Sequence, residues 1–428
     1  MARLRNLAIG GRDIALYGSA NLVRPAIALA MIPVFTRLFV PEDYGIIGIY
    51  TVIVGLLTTV LSANGQIYVL WNRAKLGKAQ SVAAVGATMR IATAGSLLCL
   101  AASAVWWLIA APDSVPFWVA IVAIGTAWAT VWILLDTHVH QADEEARAFF
   151  TINATTAVIG PIATVVLAVG VVSNWTARIG GIAIAAAVVG AWSASSLMRR
   201  DVLRIGGSQS MVRPVLRFGL PLLPHTVGLW IAASVDRFII AAMVGIASTG
   251  IYTVAASIAL AFAAVHDGVS RFFAPLLSRW TADGSVEGQV KAARFAYSYS
   301  AAALVSAPLL ILVTVPIARW ILPDDYATVT DFLMWLIVAQ AFAGIARIFT
   351  GYLYAASWTG VLSAVTLITA AAGLLFTVAM VSSFGAIGAA VAAVGTALIR
   401  ALATYLVARR TGLLCGIADT IRPAHRIS

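Results

Sequence analysis

The hydrophobic and polar positions of this chain are arranged in long blocks, without the 3.6-residue period of a helix at a protein surface. Apolar runs long enough to cross the roughly 30 Å of bilayer hydrocarbon follow one another, and short polar segments separate them. The pattern therefore predicts an all-α membrane protein with twelve transmembrane helices. They cover residues 13–36, 44–70, 82–111, 116–137, 149–172, 178–197, 218–243, 249–275, 295–318, 332–355, 359–381 and 385–408.

The composition excludes a water-soluble fold. Of the 428 residues, 61% are hydrophobic and only 11% are charged, and the mean hydropathy is +0.95, whereas a soluble domain is about 25% charged. In a soluble domain, the net charge of +11 would suggest a nucleic-acid partner. Here most basic residues lie in short loops between apolar spans, where they orient a membrane protein, so we expect no nucleic-acid partner.

The distribution of lysine and arginine predicts the orientation in the membrane. With the N-terminus inside, nineteen of these residues lie on the cytoplasmic side and three on the opposite side, namely Arg37, Arg178 and Arg319. The positive-inside rule then places both termini in the cytoplasm. Arg24 and Pro25 interrupt the first apolar stretch and no small-residue cleavage site follows, so we interpret that stretch as an uncleaved span.

The longest basic connection divides the spans into two sets of six. We predict an N-terminal lobe at 1–198, a cytoplasmic linker at 199–217, and a C-terminal lobe with a short cytoplasmic tail at 218–428. The sequence GIYTV of Gly48–Val52 recurs as Gly250–Val254, at the corresponding place in each half. Six spans per half give the halves a parallel orientation, as in proteins whose lobes are related by an axis along the membrane normal.

Short connections limit what this protein can do outside the membrane. No connection exceeds about 20 residues, so neither side has room for a soluble catalytic or ligand-binding domain. We therefore expect the protein to act within the bilayer.

Six arginines remain inside the predicted spans and are the candidate substrate-binding residues: Arg24, Arg90, Arg237, Arg271, Arg347 and Arg400. Each costs about 2.5–3.5 kcal/mol at a helix centre, so they are expected to face a protein interior or a water-filled cavity. Their excess over the acids in the spans predicts a cationic cavity between the halves. Such a cavity suits an anionic solute, because the guanidinium group pairs bidentately with phosphate. Alternatively, arginines near the ends of spans extend their side chains to the lipid headgroups. We favour this alternative for Arg90 and Arg271.

Two acids and one histidine at comparable depth are candidates for ion coupling: Asp236, Asp267 and His266. A carboxylate beside a histidine in a cavity can take up and release a proton. The alternative for His266 and Asp267 is a hydrogen-bonded structural pair. Asp236 and Arg237 diverge by about 100° on a helix, so we expect each to find its partner on another helix.

Other polar clusters do not indicate a metal or cofactor. Cys99 and Cys415 lack metal-ligand spacing. His138 and His140 point to different sides of a helix, and we expect the acidic loop after them to be solvated. Paired acids in the outer loops, at 42–43 and 324–325, could serve general acid or base catalysis, but we favour capping of the helices that follow.

Motifs in both halves carry a family resemblance. Pro33, Thr36-Arg37 and the sequence PEDYG at 41–45 precede the second span, while the second half contains FGLPLLP at 218–224, DRFII at 236–240 and GIY at 250–252. Together they resemble the polysaccharide-biosynthesis flippases of the multidrug, oligosaccharidyl-lipid and polysaccharide exporter superfamily. The related lipid II flippases usually carry two further helices, which this chain lacks.

The resemblance implies a V-shaped transporter of the MATE-like fold in the bacterial inner membrane. It would move undecaprenyl-pyrophosphate-linked oligosaccharide to the outer face by alternating access, for assembly of lipopolysaccharide O-antigen, capsule or exopolysaccharide. It also implies an arginine-rich cavity. Transport of this kind makes and breaks no bond, so the resemblance implies that the protein is not an enzyme. Expected partners are this lipid-linked oligosaccharide, membrane lipids, a proton or sodium ion, and a polysaccharide polymerase with its chain-length regulator.

Two other functions remain open at the level of sequence. A drug or cation antiporter of the same fold would be expected to gather acids in its cavity, and the excess of arginine counts against it. A membrane-embedded polymerase or glycosyltransferase would usually need a large outer loop for its acceptor.

Overall fold

The structure is a computed structural model that describes residues 19, 22–73, 75–110, 116–203, 209–281, 284–356 and 358–416. Across these ranges the chain forms helices and no β-strand, so the all-α class is confirmed. The first helix, α1, spans 22–38. The others are α2 (Pro41–Ser62), α3 (Gly65–Asn72), α4 (Lys78–Ala110), α5 (Phe117–Ala142), α6 (Ala146–Gly170), α7 (Trp175–Arg199), α8 (Val212–Met243), α9 (Ile246–Thr281), α10 (Val286–Ile321), α11 (Val329–Ala355), α12 (Thr359–Phe384) and α13 (Ala386–Arg410).

Within the described ranges, eleven helices are long and apolar enough to cross a membrane. They are α2 and α4 to α13, and they confirm a multi-pass membrane protein. The first predicted span, 13–36, lies partly outside the described residues. Large apolar side chains stand exposed on several helices, such as Leu312, Val313 and Trp320 on α10, as expected of surfaces that face lipid.

The second predicted span, 44–70, is wrong as a single helix. Ala63 and Asn64 adopt positive φ angles of 42° and 57°, which end α2 and start α3 in a new direction. Asparagine followed by Gly65 is a turn signal that the apolar run concealed. The Asn64 amide also donates a hydrogen bond of 3.2 Å to the carbonyl of Gly219 on α8, so tertiary contact holds the break in place.

Several helices continue past the predicted ends of their spans. α9 and α10 each have 36 residues and are therefore about 54 Å long, well beyond the hydrocarbon thickness. α10 begins at Val286 instead of residue 295. Asp324 and Asp325 do not cap the tenth span as expected, because they form a separate 3₁₀ turn. Thr328 occupies the N-cap position of α11, and its side chain makes no capping hydrogen bond.

The chain folds into two compact units. The first comprises 1–31 and 46–230, and the second comprises 32–45 and 231–428, so that α1, α2 and α8 each contribute to both units. In the first unit, α5 packs against α3, α4, α6 and α7. In the second unit, α11 packs against α9, α10, α12 and α13. Both central helices are apolar on nearly every side, the pattern of a helix surrounded by other helices.

Candidate functional site

A group of polar side chains lies inside the second unit, where α9, α10 and α11 meet. His266 and Asp267 are on α9, Tyr299 is on α10, and Arg347 is on α11. The Nδ1 atom of His266 is hydrogen-bonded to the Tyr299 hydroxyl at 2.6 Å, and the two rings are perpendicular. The Nε atom of Arg347 lies 2.8 Å from a carboxylate oxygen of Asp267. We call these four residues the α9–α11 cluster.

Arg347 has more hydrogen-bonding capacity than its neighbours use. Its Nη1 atom is buried, and no described residue supplies an acceptor for it. A buried N–H group of a cation without an acceptor is unfavourable, and a guanidinium group has five such donors in a fixed plane. The side chains of Arg347 and Asp267 remain 31% and 48% exposed, so this ion pair is open to a further ligand.

Gly344 brings α11 close to the cluster. A Cβ atom at this position would lie 2.7 Å from Nδ1 of His266 and 2.8 Å from the Tyr299 hydroxyl oxygen. Any larger residue would therefore push the histidine and tyrosine apart. One helical turn separates Gly344 from Arg347, so the glycine also sets how near Arg347 comes to α9.

Two more arginines add positive charge to this part of the second unit. Arg400 on α13 is half-buried and lies within electrostatic range of Arg347. Arg271 is exposed and lies one turn after Asp267 on α9. Arg347 and Arg400 therefore lie near the carboxylate of Asp267, and Arg271 follows it on α9, which gives this part of the second unit a cationic character.

The structure places Asp236 and Arg237 apart from the α9–α11 cluster. Asp236 accepts a short hydrogen bond from the hydroxyl of Tyr252 on α9, which confirms a partner on another helix. The expectation for Arg237 is wrong, because this buried side chain bonds within α8, to the carbonyl of Ala233 at 3.3 Å. Its Nη1 atom also lies 3.6 Å from the Asp236 carboxylate. These residues tie α8 to α9.

The two remaining candidate arginines belong to the first unit. Arg24 is exposed on α1. Arg90 is half-buried on α4 and lines a cleft together with Arg213 and Arg217 of α8. The structure therefore divides the six predicted arginines between different places. It brings Arg347 and Arg400 within electrostatic range of each other, and it places Arg271 on α9 one turn after Asp267.

The acidic and histidine residues at the end of α5 form an ion-pair network with two arginines. Arg73 holds the Asp143 carboxylate with two bonds of 2.6 and 2.8 Å, and Arg200 contacts Glu145 at 2.7 Å. His140 lies 2.5 Å from Glu145 and 3.3 Å from a buried carboxylate at position 136. Among the described residues, no group of three or more histidine, cysteine, aspartate or glutamate side chains is arranged so that it could hold a metal ion.

The arginines of this network lower the pKa of the Asp143 carboxyl group. Burial alone raises the pKa of the Asp143 carboxyl, but the hydrogen bond and positive charge of Arg73, with the charge of Arg200, outweigh it and lower the pKa below 3.8. Asp143 is therefore ionised at neutral pH, and its contacts with Arg73 and Arg200 join the ends of α3, α5 and α7.

Sequence reasoning missed the two tyrosines. Tyr252 and Tyr299 provide the hydroxyl groups that contact Asp236 and His266. Tyr252 lies in the repeated GIYTV segment, which was a signal for its importance. Tyr299 had no such signal, because a tyrosine in an apolar span is common and only the fold places it beside His266.

Comparison with known sequences identifies a family. Residues 34–323, about two thirds of the chain, match the family model described as "Polysaccharide biosynthesis protein". Among curated proteins, none matches this chain.

The fold is similar to those of solved membrane transporters. The lipid II flippase MurJ in an inward closed conformation is 15% identical with a TM-score of 0.74, and the match covers 95% of this chain and 89% of that one. An inward-facing multidrug resistance MATE transporter of the MOP superfamily is 12% identical with a TM-score of 0.64, covering 93% and 94%. A eukaryotic MATE transporter, AtDTX14, is 12% identical with a TM-score of 0.58, covering 94% and 98%. The predicted MATE-like transporter fold is confirmed.

Proposed function

The chain belongs to the polysaccharide biosynthesis protein family, and from this premise we propose that it is a flippase for undecaprenyl-pyrophosphate-linked oligosaccharide. It acts in the bacterial inner membrane, with both termini in the cytoplasm, and delivers the lipid-linked glycan to the outer face for O-antigen, capsule or exopolysaccharide assembly. The family supports a role in polysaccharide synthesis, and the fold, shared with MurJ and MATE proteins, supports transport.

The observation that carries the proposal is the unused donor of Arg347. Its buried Nη1 atom lacks an acceptor among the described residues, while Asp267 occupies its Nε atom. A phosphate oxygen is a strong acceptor for a guanidinium group, and a pyrophosphate offers several oxygens to neighbouring arginines at once. Arg400 and Arg271 add the positive charge that a doubly anionic headgroup requires.

The same geometry suggests how binding and ion coupling are linked. Asp267 and a substrate phosphate compete for Arg347, since both are anions that pair with one guanidinium group. Protonation of Asp267 would remove this competitor and favour the bound state, and its deprotonation would help release the substrate. His266 lies beside Asp267 and is a candidate to pass the proton. Asp236, bonded to Tyr252, is a second candidate for coupling at the α8–α9 contact.

The direct test is to delete the gene and locate the lipid-linked oligosaccharide that accumulates. Sealed spheroplasts are treated with a membrane-impermeant reagent that modifies glycans, and the modified fraction is measured. We expect the intermediate to be shielded in the deletion strain. Complementation with the wild-type gene should make it accessible again, whereas Arg347→Ala should leave it shielded.

Arg319→Ala is the matched control, because Arg319 is an exposed arginine of the same unit at the far end of α10. It should restore accessibility as fully as the wild type. An accessible but unpolymerised intermediate in the deletion strain would contradict flipping and indicate an enzyme. No accumulation of any intermediate would contradict the substrate and favour an antiporter.

A further inference from the structure

The first unit contains a basic cleft that the proposed transport cycle does not use. It has a volume of about 940 Å³ and lies between α4 and α8. Three arginines line it, namely Arg90, Arg213 and Arg217, and among its described lining residues none is acidic. The remaining lining is apolar and includes Leu216, Leu220 and Pro221. We call it the α4–α8 cleft.

The position of two of these arginines is unfavourable for the helix that carries them. Arg213 and Arg217 are four residues apart in the first two turns of α8, so their side chains share one face. Like charges at this spacing repel each other, and the N-terminal end of a helix carries a partial positive charge that disfavours cations. An anion bound between the two side chains would relieve both effects.

The apolar lining shows what kind of anion the cleft fits. Leu220 is 51% exposed and lies three residues after Arg217 on α8, so the cleft has a positively charged part beside an exposed apolar surface. A small soluble anion would use only the arginines, whereas an amphiphile would use both parts. α8 begins at Val212, inside the predicted cytoplasmic linker at 199–217. Arg213 and Arg217 therefore lie on the predicted cytoplasmic side, at the depth of the lipid phosphates.

We propose that the α4–α8 cleft binds the phosphate-bearing headgroup of a lipid in the cytoplasmic leaflet. Arg213 and Arg217 on α8 bind the phosphate, and Arg90 contacts it from α4. The first carbons of the lipid chains lie against Leu216 and Leu220. The site does not depend on what the protein transports.

The test measures lipid binding to the full-length protein by native mass spectrometry. The protein is purified in neutral detergent and titrated with dioleoyl phosphatidic acid, and dioleoyl phosphatidylcholine serves as the zwitterionic comparison. The cleft variant carries Arg213→Gln and Arg217→Gln. We expect it to bind phosphatidic acid about tenfold more weakly than wild type, since two charge-assisted contacts are lost.

Arg409→Gln with Arg410→Gln is the matched control, because these exposed arginines are also adjacent to a membrane face but lie on α13. This control should change binding by less than about twofold. Equal losses in both double variants, or no loss in the cleft variant, would overturn the proposal. Arg213 and Arg217 are both exposed, so the cleft variant should fold and elute from a size-exclusion column as the wild type does. Arg90→Gln, tested alone, should also weaken the binding of phosphatidic acid, because Arg90 lies on the α4 side of the cleft.

Two further titrations separate the sources of the phosphate. If inorganic pyrophosphate displaces phosphatidic acid at equal concentration, the cleft binds free anions and the lipid assignment is overturned. Undecaprenyl phosphate that binds more tightly than phosphatidic acid, in a manner lost in the cleft variant, would assign the site to polyprenyl lipids. Equal binding of the two lipids would assign it to the anionic phospholipids of the leaflet.

Discussion

Gly344 is the residue on which the geometry of the α9–α11 cluster depends most directly. A methyl group there would lie 2.7 Å from the His266 ring, closer than carbon and nitrogen atoms can approach. We expect Gly344→Ala to displace His266 and Tyr299, to cost about 1–3 kcal/mol of stability, and to lower transport. Thermal unfolding in detergent and glycan accessibility in spheroplasts measure the two effects.

Gly268→Ala is the control for this change. Gly268 lies on α9 next to Asp267, and nothing stands within 4 Å of a Cβ atom built there. Alanine should therefore raise the melting temperature, since it is favoured over glycine in a helix by up to about 1 kcal/mol. If both variants melted alike, close packing at Gly344 would not be the reason for its effect.

The two tyrosines of the repeated GIYTV segment have different partners, and this predicts unequal effects of their removal. Tyr252 bonds to the carboxylate of Asp236, whereas Tyr50 bonds to the hydroxyl of Thr126 at 3.0 Å. Hydrogen bonds to a charged group are roughly twice as strong as neutral ones. We expect Tyr252→Phe to cost about 1.5–3 kcal/mol and Tyr50→Phe about 0.5–1.5 kcal/mol.

Thermal unfolding of the two variants, and of a double variant, tests this order. Each replacement removes one hydroxyl from a buried ring, so the changes in apolar packing are matched. A larger loss from Tyr50→Phe would show that the Asp236 contact contributes no more than a neutral hydrogen bond.

At the scale of helices, the ion pairs that join α3, α5 and α7 predict a dependence of stability on pH. The pKa of Asp143 is lower in the folded protein than its ordinary value of 3.8. The ionised carboxylate therefore stabilises the fold at neutral pH, and this contribution is lost as pH falls from about 4 through the lowered pKa. We expect Asp143→Asn to cost about 1–3 kcal/mol at pH 7 and to flatten the acid side of the melting profile.

The exposed pair Glu287 and Lys291 on α10 is the control, since its atoms are 2.7 Å apart but both side chains are more than half exposed. Glu287→Gln should change stability by less than about 0.5 kcal/mol. An acid transition that persists unchanged in Asp143→Asn would mean that other carboxylates determine it.

Hydropathy predicts the helices well because membrane insertion depends on apolar length, but it does not predict where a helix bends. The break at Ala63 and Asn64 lies inside one apolar run, and its geometry is completed by a contact with Gly219, 155 residues away. Likewise, Arg237 and Arg347 look equivalent in sequence. Only the packing distinguishes them: Arg237 on α8 is buried and bonds to its own helix, whereas Arg347 on α11 keeps a donor without an acceptor among the described residues.

For the whole molecule, the repeated segment and the long basic connection indicate two similar halves, and the helices of the two units repeat the same packing. α5 and α11, the fourth spans in their halves, occupy the centre of their units and pack against corresponding helices. The GIYTV tyrosines contact this central helix in both units, at Thr126 on α5 and Phe332 on α11. The residues that carry chemistry differ between the halves, so the repeat predicts the scaffold but not the site.

The orientation of this scaffold gives the last prediction. The excess of basic residues on one side predicts that the turn after α5 lies in the cytoplasm and the turn before α11 lies outside. Glu144 and Asp325 are exposed in these two turns. Both are acids, which contribute little to orientation, so replacing either one by cysteine should leave the topology unchanged. In a background with Cys99→Ser and Cys415→Ser, a membrane-impermeant maleimide should label Asp325→Cys in intact cells, and Glu144→Cys only after the membrane is opened. The reverse pattern would contradict this orientation, and the α4–α8 cleft would then face the outer leaflet.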